Sequence, residues 1–248
     1  MADRSGIEWT QATWNPTTGC DRITTGCDHC YALTLAKRLK AMGAAKYQVD
    51  GNPITSGPGF AVQMHEAALS VPFSWRTPRT VFVNSMSDLW HAHVTDDFIT
   101  RVFDVMETTP QHTYQLLTKR PLRLARMAAR LPWPPNVWVG VSVEDAAQLW
   151  RLDRLRQVPA AVRFLSAEPL LGPLAELNFS GIDWLIAGGE SGPGARPMDP
   201  SWVEDLERQC RVAGVAFFFK QWGGRTPKAA GRELHGRTYD EMPAAANG

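Results

Sequence analysis

Short apolar runs that alternate with helical patterns constrain the fold of this chain more than any other feature. The runs are hydrophobic almost throughout, as in strands that are buried on both faces of a parallel sheet. They are Thr80–Asn84, Thr113–Thr118, Val137–Val143, Val162–Ser166, Asp183–Ala187 and Val215–Lys220, with a candidate first strand at Ile7–Trp14. This alternation predicts parallel strands with right-handed crossovers, in an open doubly wound sheet or a barrel.

The helical patterns between the runs are marked by capping residues and apolar faces. Thr95 can cap one helix, and Ser201 with Glu204 forms a capping box for another. The helix after the first strand is predicted to be amphipathic, and its apolar face comprises Tyr31, Leu35, Leu39 and Met42. Residues 44–79 interrupt the alternation with a long Gly- and Pro-rich stretch, which predicts an inserted loop or lid.

Composition bounds the domain count and the location. A chain of 248 residues with 44% hydrophobic residues suits a single domain, which we assign to residues 1–242 with a flexible tail at 243–248. The formal charge of +1 is lower than expected for a protein that coats nucleic acid or an anionic membrane. Because the sequence shows no signal peptide and no long apolar span, we expect a cytoplasmic protein without a membrane segment.

Three of the four cysteines lie close together, at Cys20, Cys27 and Cys30, in the pattern CxxxxxxCxxC. In a reducing compartment such a group favours metal binding or redox chemistry over a structural disulfide. The fourth cysteine, Cys210, shares a helical face with apolar residues, so we predict that it is a core residue. A closed zinc site needs four ligands and iron–sulfur clusters usually have four cysteines, so three thiolates leave one coordination position open.

Polar residues follow the ends of the predicted strands. The carboxyl ends of parallel strands meet at one edge, where active sites form, so these residues predict a cofactor site. The alternative is that they are ordinary caps and turn residues. They include Ser85, Ser87, Asp88, Lys119, Arg120, Ser142, Glu144, Glu168, Gly188, Gly189 and Glu190.

A cysteine triplet after the first strand of a partial barrel resembles the radical S-adenosylmethionine enzymes. Their usual spacing, CxxxCxxC, is three residues shorter than the one found here. The segments "NPTTGC" and "CDHCYA" are also similar to the signature of spore photoproduct lyase and its relatives. Over nearly the whole chain, "WNPTTGC", "VFVNSMSDLWH", "LLTKRP", "FLSAEPLLG" and "FFFKQWGG" resemble a phage- and prophage-associated family of radical S-adenosylmethionine-like proteins of unknown substrate.

The resemblance implies an α/β fold, a partial (β/α)6-type barrel with the cysteine loop after its first strand. It also implies a [4Fe-4S] cluster on Cys20, Cys27 and Cys30, whose free iron chelates S-adenosylmethionine. An electron from an external donor would then generate a 5′-deoxyadenosyl radical that modifies or repairs a substrate. The residues implied to meet S-adenosylmethionine are Ser85, Ser87, Asp88, Lys119 or Arg120, Ser142, Glu144, Glu168, Gly188 and Gly189, and Glu190 stands beside them.

The substrate and the competing functions remain open at this point. Two basic runs, from Lys119 to Arg130 and from Arg151 to Arg156, favour a nucleic acid or nucleotide substrate, although helix arginines often form only a solvated face. The alternative function is a non-catalytic zinc- or cluster-binding module that acts with a protein or nucleic-acid partner. A thiol redox protein based on Cys27 and Cys30 is a third hypothesis.

Overall fold

The computed structural model describes residues 5–226 and 229–243, and its largest element is a parallel sheet. Seven strands curl into a half-barrel in the order β1-β4-β5-β6-β7-β8-β9, and β2 and β3 pair with each other in antiparallel fashion. The strands are β1 Ala12–Trp14, β2 Thr17–Thr18, β3 Gln63–Met64, β4 Thr80–Val83, β5 Thr113–Thr118, β6 Val137–Ser142, β7 Val162–Ala167, β8 Trp184–Gly188 and β9 Ala216–Gln221. The predicted partial barrel of parallel strands is confirmed, and its first strand is shorter than expected.

Five α-helices lie within the described ranges, and none of them is long and apolar enough to cross a membrane. They are α1 Tyr31–Ala41, α2 Asp96–Thr108, α3 Pro121–Ala128, α4 Trp150–Leu155 and α5 Pro200–Ala213. Thr95 caps α2 as predicted, because its hydroxyl accepts a hydrogen bond from the Phe98 N–H. The predicted capping box of α5 is wrong: Asp199 is the cap, and its carboxylate accepts from the Ser201 N–H at 2.9 Å.

The two faces of the sheet carry different cores. One face packs against α2, α3, α4 and α5, and Cys210 is fully buried in this core as predicted. The concave face carries an aromatic cluster of Trp9, Phe82, Trp138, Phe164, Trp184 and Phe218. Thr10 bonds to the carbonyl of Thr80, the first residue of β4. The N-terminal segment that carries Trp9 therefore lies against the inside of the half-barrel, near the amino ends of the strands.

Residues 44–79 form an ordered wrap around the start of the cysteine-bearing segment. Tyr47 and Phe60 pack with α1 in a small separate core. Gly19, which precedes the first cysteine, has a positive φ of 86°, and a Cβ there would lie 2.0 Å from the Ala61 carbonyl oxygen. Only glycine allows this approach. The insertion therefore packs directly against the backbone just before Cys20.

The first helix buries its small residues and exposes its large ones. Ala32 and Ala36 are buried, whereas Tyr31, Leu35 and Met42 are 50%, 37% and 68% exposed. The predicted apolar face is thus largely open. The helical periodicity of apolar residues is present, but the side of α1 that contacts residues 44–79 needs small residues, because the backbones of α1 and of this insertion lie close together.

Candidate functional site

The predicted site lies where the carboxyl ends of the strands meet Cys20–Cys30, which we call the cysteine loop. Between this loop and the concave sheet face is a cavity of ≈ 380 Å³. Apolar side chains of the aromatic cluster, Trp9 and Phe82 among them, form part of its wall. The polar part of the wall comprises Glu8, His29, Cys30, Tyr31, Lys119, Ser142, Ser166, Glu168, Glu190, Ser191, Lys220 and Gln221.

The three cysteines lie just before α1. Cys27 ends a 3-10 turn, and Cys30 directly precedes the helix and borders the cavity. The Arg120 guanidinium donates a hydrogen bond to the Cys20 Sγ at 3.2 Å. Burial raises the pKa of Cys20 to about 12 although Arg120 opposes the shift, and burial also raises the pKa of Cys30.

Thiolate sulfurs are the donors that iron–sulfur clusters take, and the loop supplies three of them. Among the described residues, no three His, Cys, Asp or Glu side chains converge closely enough to hold one metal ion. In a cluster each thiolate binds a different iron, so the three sulfurs do not have to meet at one point. Cys210 is buried in the core on α5 and is not part of the loop.

Three carboxylate–arginine pairs hold the cysteine loop, and the first joins Asp88 to Arg120 at 3.1 Å. Asp88 also accepts hydrogen bonds from the Thr118 hydroxyl, at 2.7 and 2.8 Å to its two oxygens. Besides its bond to Cys20, Arg120 donates to the carbonyl of Asp21 at 3.0 Å. The segment after β4 is thus tied to the end of β5 and to the start of the cysteine loop.

The second pair joins Glu144 to Arg151 at 2.9 Å, and their side chains are 0% and 1% exposed. Arg151 also donates to the Ser142 carbonyl at 2.6 Å. The other carboxylate oxygen of Glu144 accepts a hydrogen bond from the Thr24 hydroxyl. A Cβ on Gly26 would lie 2.9 Å from the Glu144 carboxyl carbon, so the loop backbone rests on this carboxylate. The end of β6 therefore supports the middle of the loop.

The third pair joins Glu190, which follows β8, to Arg196. Glu190 accepts hydrogen bonds at 3.0 Å from both the backbone N–H and the Nε of Arg196. The guanidinium also donates to the Thr25 carbonyl at 2.8 Å. Burial disfavours the ionised form of Glu190, but the hydrogen bonds from Arg196 outweigh it and lower the pKa of this carboxyl. Although Glu190 borders the cavity, both of its oxygens are engaged by Arg196.

The long spacer between the first two cysteines is anchored along its length. Asp21 accepts hydrogen bonds from the hydroxyls of Thr55 and Ser56 at 2.5 and 3.1 Å, and its other oxygen lies 2.9 Å from His91 Nε2. Thr24 and the residue after it carry the contacts to the second and third pairs. The additional residues therefore provide the contact points through which the sheet and the insertion hold the loop.

Ser85 and Ser87 hold the segment that leads into the loop. The Ser87 hydroxyl donates to the Thr17 carbonyl at 2.9 Å, and the Ser85 hydroxyl lies 3.2 and 3.3 Å from the amide atoms of the Asn15 side chain. Both serines lie outside the cavity wall. They fasten the end of β4 to the chain just ahead of Cys20.

Lys119, Ser142 and Glu168 are predicted residues that do border the cavity. Glu168 pairs with Lys220 at 3.0 Å and accepts a hydrogen bond from the Ser166 hydroxyl at 3.2 Å. Within the described residues, the Lys119 side chain has no hydrogen-bond or ion-pair partner. The cavity wall carries the ammonium groups of Lys119 and Lys220 and the carboxylates of Glu8, Glu168 and Glu190. The Lys119 ammonium group, which has no ion-pair partner within the described residues, suits an anionic ligand group.

The two predicted glycines allow close contact within the chain itself. A Cβ on Gly188 would lie 2.7 Å from Glu168 Oε1, and a Cβ on Gly189 would lie 1.9 Å from the Trp222 carbonyl oxygen. Gly189 borders the cavity. These contacts explain the glycines without reference to a ligand.

Sequence reasoning missed the N-terminal segment and two of the arginines. Gly6, Ile7 and Trp9 border the cavity. The alternation of Ile7 and Trp9 with polar residues was the sequence signal for a buried segment here, and it was assigned to the first strand. No sequence signal identified Arg151 or Arg196 as partners of site carboxylates, because both contacts depend on tertiary packing.

A second concavity of ≈ 560 Å³ lies beside the cysteine loop, and we call it the basic groove. Ile23, Leu122 and Trp150 line it and are 46%, 52% and 42% exposed. Among the described residues that line it there is no Asp or Glu. Lys119 borders both the basic groove and the cavity, so the two concavities adjoin there. The five cationic residues that line the basic groove are Lys119, Arg120, Arg123, Arg126 and Arg151.

The fold and the site together define a half-barrel protein with a three-thiol loop above an internal cavity. Residues 4–243 match the family model described as "Protein of unknown function (DUF5131)", and the chain belongs to that family. No curated protein matches the chain.

The chain is similar to solved structures of spore photoproduct lyase. A cysteine-to-serine mutant of that enzyme has a TM-score of 0.44 and 14% identity over 77% of this chain and 58% of that one. A double mutant with bound AdoMet and dinucleoside spore photoproduct has a TM-score of 0.41 and 13% identity over 71% of this chain and 55% of that one. This chain thus spans just over half the length of those proteins, and likeness at this distance assigns no activity.

Proposed function

We propose that this chain is a radical S-adenosylmethionine enzyme whose [4Fe-4S] cluster is held by Cys20, Cys27 and Cys30. The observation that carries the proposal is the position of the three-thiol loop. It follows the first strand of a half-barrel, and Cys30 opens onto an internal cavity. When cluster and S-adenosylmethionine are bound, one-electron transfer between them would yield methionine and a 5′-deoxyadenosyl radical, which abstracts hydrogen from a substrate.

The charged and hydroxyl groups of the cavity wall suggest which residues meet S-adenosylmethionine. Lys119 is the proposed partner of the methionine carboxylate, since Arg120 is already engaged by Asp88 and Cys20. Glu168 is the proposed acceptor for the amino group, and the Ser142 hydroxyl is a donor or acceptor for the ribose. A buried hydrogen bond to a charged group contributes about 1.5–3 kcal/mol, enough to orient a ligand in the cavity.

The other predicted residues are assigned a supporting role in this proposal. Their polar side-chain groups that could bind a ligand are already hydrogen-bonded or ion-paired within the protein. The residues that fasten the cysteine loop or its approach are Ser85, Ser87, Asp88, Glu144 and Glu190. Gly188 and Gly189 let adjacent segments approach the cavity wall.

The substrate class that the surface favours is a nucleic acid or nucleotide. Of the five cationic residues that line the basic groove, Arg120, Arg123 and Arg151 are each paired with a carboxylate that lies outside the lining. Lys119 and Arg126 have no ion-pair partner within the described residues, and Trp150 offers an exposed ring on which a base could stack. The groove adjoins the cavity at Lys119, so a strand in the groove could extend toward the reacting centre. An external one-electron donor is also required by the proposed chemistry.

The cluster proposal is tested by anaerobic purification followed by iron, zinc and sulfide analysis. The expected result is about four irons and four sulfides per chain, lost when Cys20, Cys27 and Cys30 are all replaced by Ala. Cys210→Ala is the matched control and should keep the cluster. Dithionite and S-adenosylmethionine should then release 5′-deoxyadenosine. Zinc without sulfide would overturn the proposal and favour the zinc-binding module.

The substrate proposal is tested by binding of a fluorescent single-stranded oligonucleotide at several salt concentrations. Affinity should fall as salt rises, and Arg126→Gln should reduce the slope of log K against log salt by about one. Trp150→Ala should weaken binding by roughly 1–3 kcal/mol with little change in that slope. Arg130→Gln removes the same charge outside the groove and is the matched control. Salt-independent binding, or no binding, would contradict this substrate class.

A further inference from the structure

We propose that Arg120 sets the reduction potential of the cluster through its contact with Cys20, an inference that rests on the proposed function. The guanidinium donates to Cys20 Sγ at 3.2 Å and is held from behind by Asp88 at 3.1 Å. In the described residues, neither of the other two loop sulfurs receives a hydrogen bond from a cationic side chain; Cys27 meets only the Thr24 hydroxyl, at 3.9 Å. Of the three proposed cluster ligands, Cys20 is therefore distinguished by a hydrogen bond from a cationic side chain.

The position of Arg120 is fixed by the end of β5. The Thr118 hydroxyl donates to both oxygens of Asp88 and accepts a hydrogen bond from the Arg120 backbone N–H at 2.8 Å. The side chains of Arg120 and Asp88 are only 15% and 7% exposed. Lys119, the preceding residue, borders the cavity instead. The two adjacent cations thus lie at different places: Lys119 borders the cavity, and Arg120 contacts the Cys20 sulfur.

Electrostatics give the direction of the effect. Reduction adds one negative charge to the cluster, and a cationic donor at a ligand sulfur stabilises that charge, so Arg120 should raise the midpoint potential. Hydrogen bonds to the sulfurs, net charge and solvent exposure are the features by which proteins tune such potentials. The low exposure of this pair limits screening by water and makes the contact effective.

The test compares midpoint potentials of protein reconstituted with iron and sulfide under anaerobic conditions. The potential is read by electron paramagnetic resonance during a dithionite titration without S-adenosylmethionine. Arg120→Gln should lower the equilibrium constant for reduction about tenfold, which is about 59 mV for one electron. Arg120→Lys keeps the charge and should show a smaller shift. Arg130→Gln removes a charge from an exposed pair with Asp96 and should keep the wild-type potential.

Cluster content is measured before each titration, so that two failures can be told apart. Wild-type protein that takes up no iron and sulfide would overturn the proposed function, and this inference with it, before any substitution is considered. A loaded Arg120→Gln protein with the wild-type midpoint potential would overturn the inference alone. Loss of the cluster in both Arg120 variants would also overturn it, because Arg120 would then act only as a structural support of the loop.

Discussion

The supports of the cysteine loop and the wall of the cavity use charged residues in opposite ways. Asp88, Glu144 and Glu190 each have their own arginine, and each pair touches the loop at a different point. In the cavity wall, the Lys119 side chain has no hydrogen-bond or ion-pair partner among the described residues, and the Glu168 carboxylate contacts both Lys220 and Ser166. Both groups of residues follow the same strand ends.

This difference separates residues that hold the cysteine loop in place from residues that are available to bind a ligand. A buried ion pair adds little net stability, because the cost of removing two charges from water offsets their attraction, but it fixes the relative position of the parts that it joins. A cation beside a cavity that has no protein partner keeps its charge available for a ligand group of opposite charge. The loop supports should therefore affect folding, and the cavity wall should affect binding.

The largest expected effect is a loss of stability, and it comes from Glu144→Gln in the second loop support. Arg151 would keep its charge in a site where its side chain is 1% exposed, so the free energy of unfolding should fall by about 3–5 kcal/mol. Chemical denaturation of the unloaded protein measures this loss, and it should be partly recovered when Arg151→Met is added.

Asp153→Asn is the matched control for this substitution. Asp153 pairs with Arg156 on the surface of α4 and has a side chain that is 73% exposed, so its loss should cost no more than about 0.5 kcal/mol. If both variants lost equal stability, the second pair would not be the buried support that the structure indicates.

The next effect concerns binding rather than folding, and it is expected from Lys119→Met. Loss of the free ammonium group should weaken S-adenosylmethionine binding to cluster-loaded protein by roughly 10–100-fold, because a hydrogen bond to a charged group is lost. The free energy of unfolding should change by less than about 0.5 kcal/mol, since the side chain is only partly buried. Calorimetric titration and denaturation of the same sample separate the two effects.

The fold was predictable from local features of the sequence. The strand runs are almost entirely apolar because both faces of the sheet are covered, and this pattern can be read from short windows. The cysteine loop was also found from residue type and spacing alone. Cys210 could be separated from it because its helical neighbours, such as Val203 and Leu206, place it on a core face.

The division of the carboxylates into supports and cavity residues was not predictable. Asp88, Glu144 and Glu168 all follow strands, and what distinguishes them is the position of a partner. Arg151 comes from the next helix, and Arg196 comes from an irregular segment, so their contacts arise only when the chain is folded. For the same reason, periodicity in α1 located a face but did not show that the opposite, alanine-bearing side is buried.

The smallest effect is expected from Glu190→Gln, and it depends on pH. Because Arg196 lowers the pKa of Glu190 in the folded chain, the carboxylate contributes stability that is fully present above its ordinary pKa of 4.5. This contribution is lost as the pH falls through the lowered folded-state pKa. Wild-type protein should therefore be more stable than the variant by about 1 kcal/mol at pH 7, and the difference should close in acid.

Denaturation midpoints across the acid range measure this closure, and Glu176→Gln at an exposed glutamate outside the site should track the wild type at every pH. A difference that stays constant into acid would show that Glu190 acts through packing and not through its charge. It would then be a support of a different kind from Asp88 and Glu144. A difference that closes would place all three carboxylates in one class, held by arginines and separate from the residues that face the cavity.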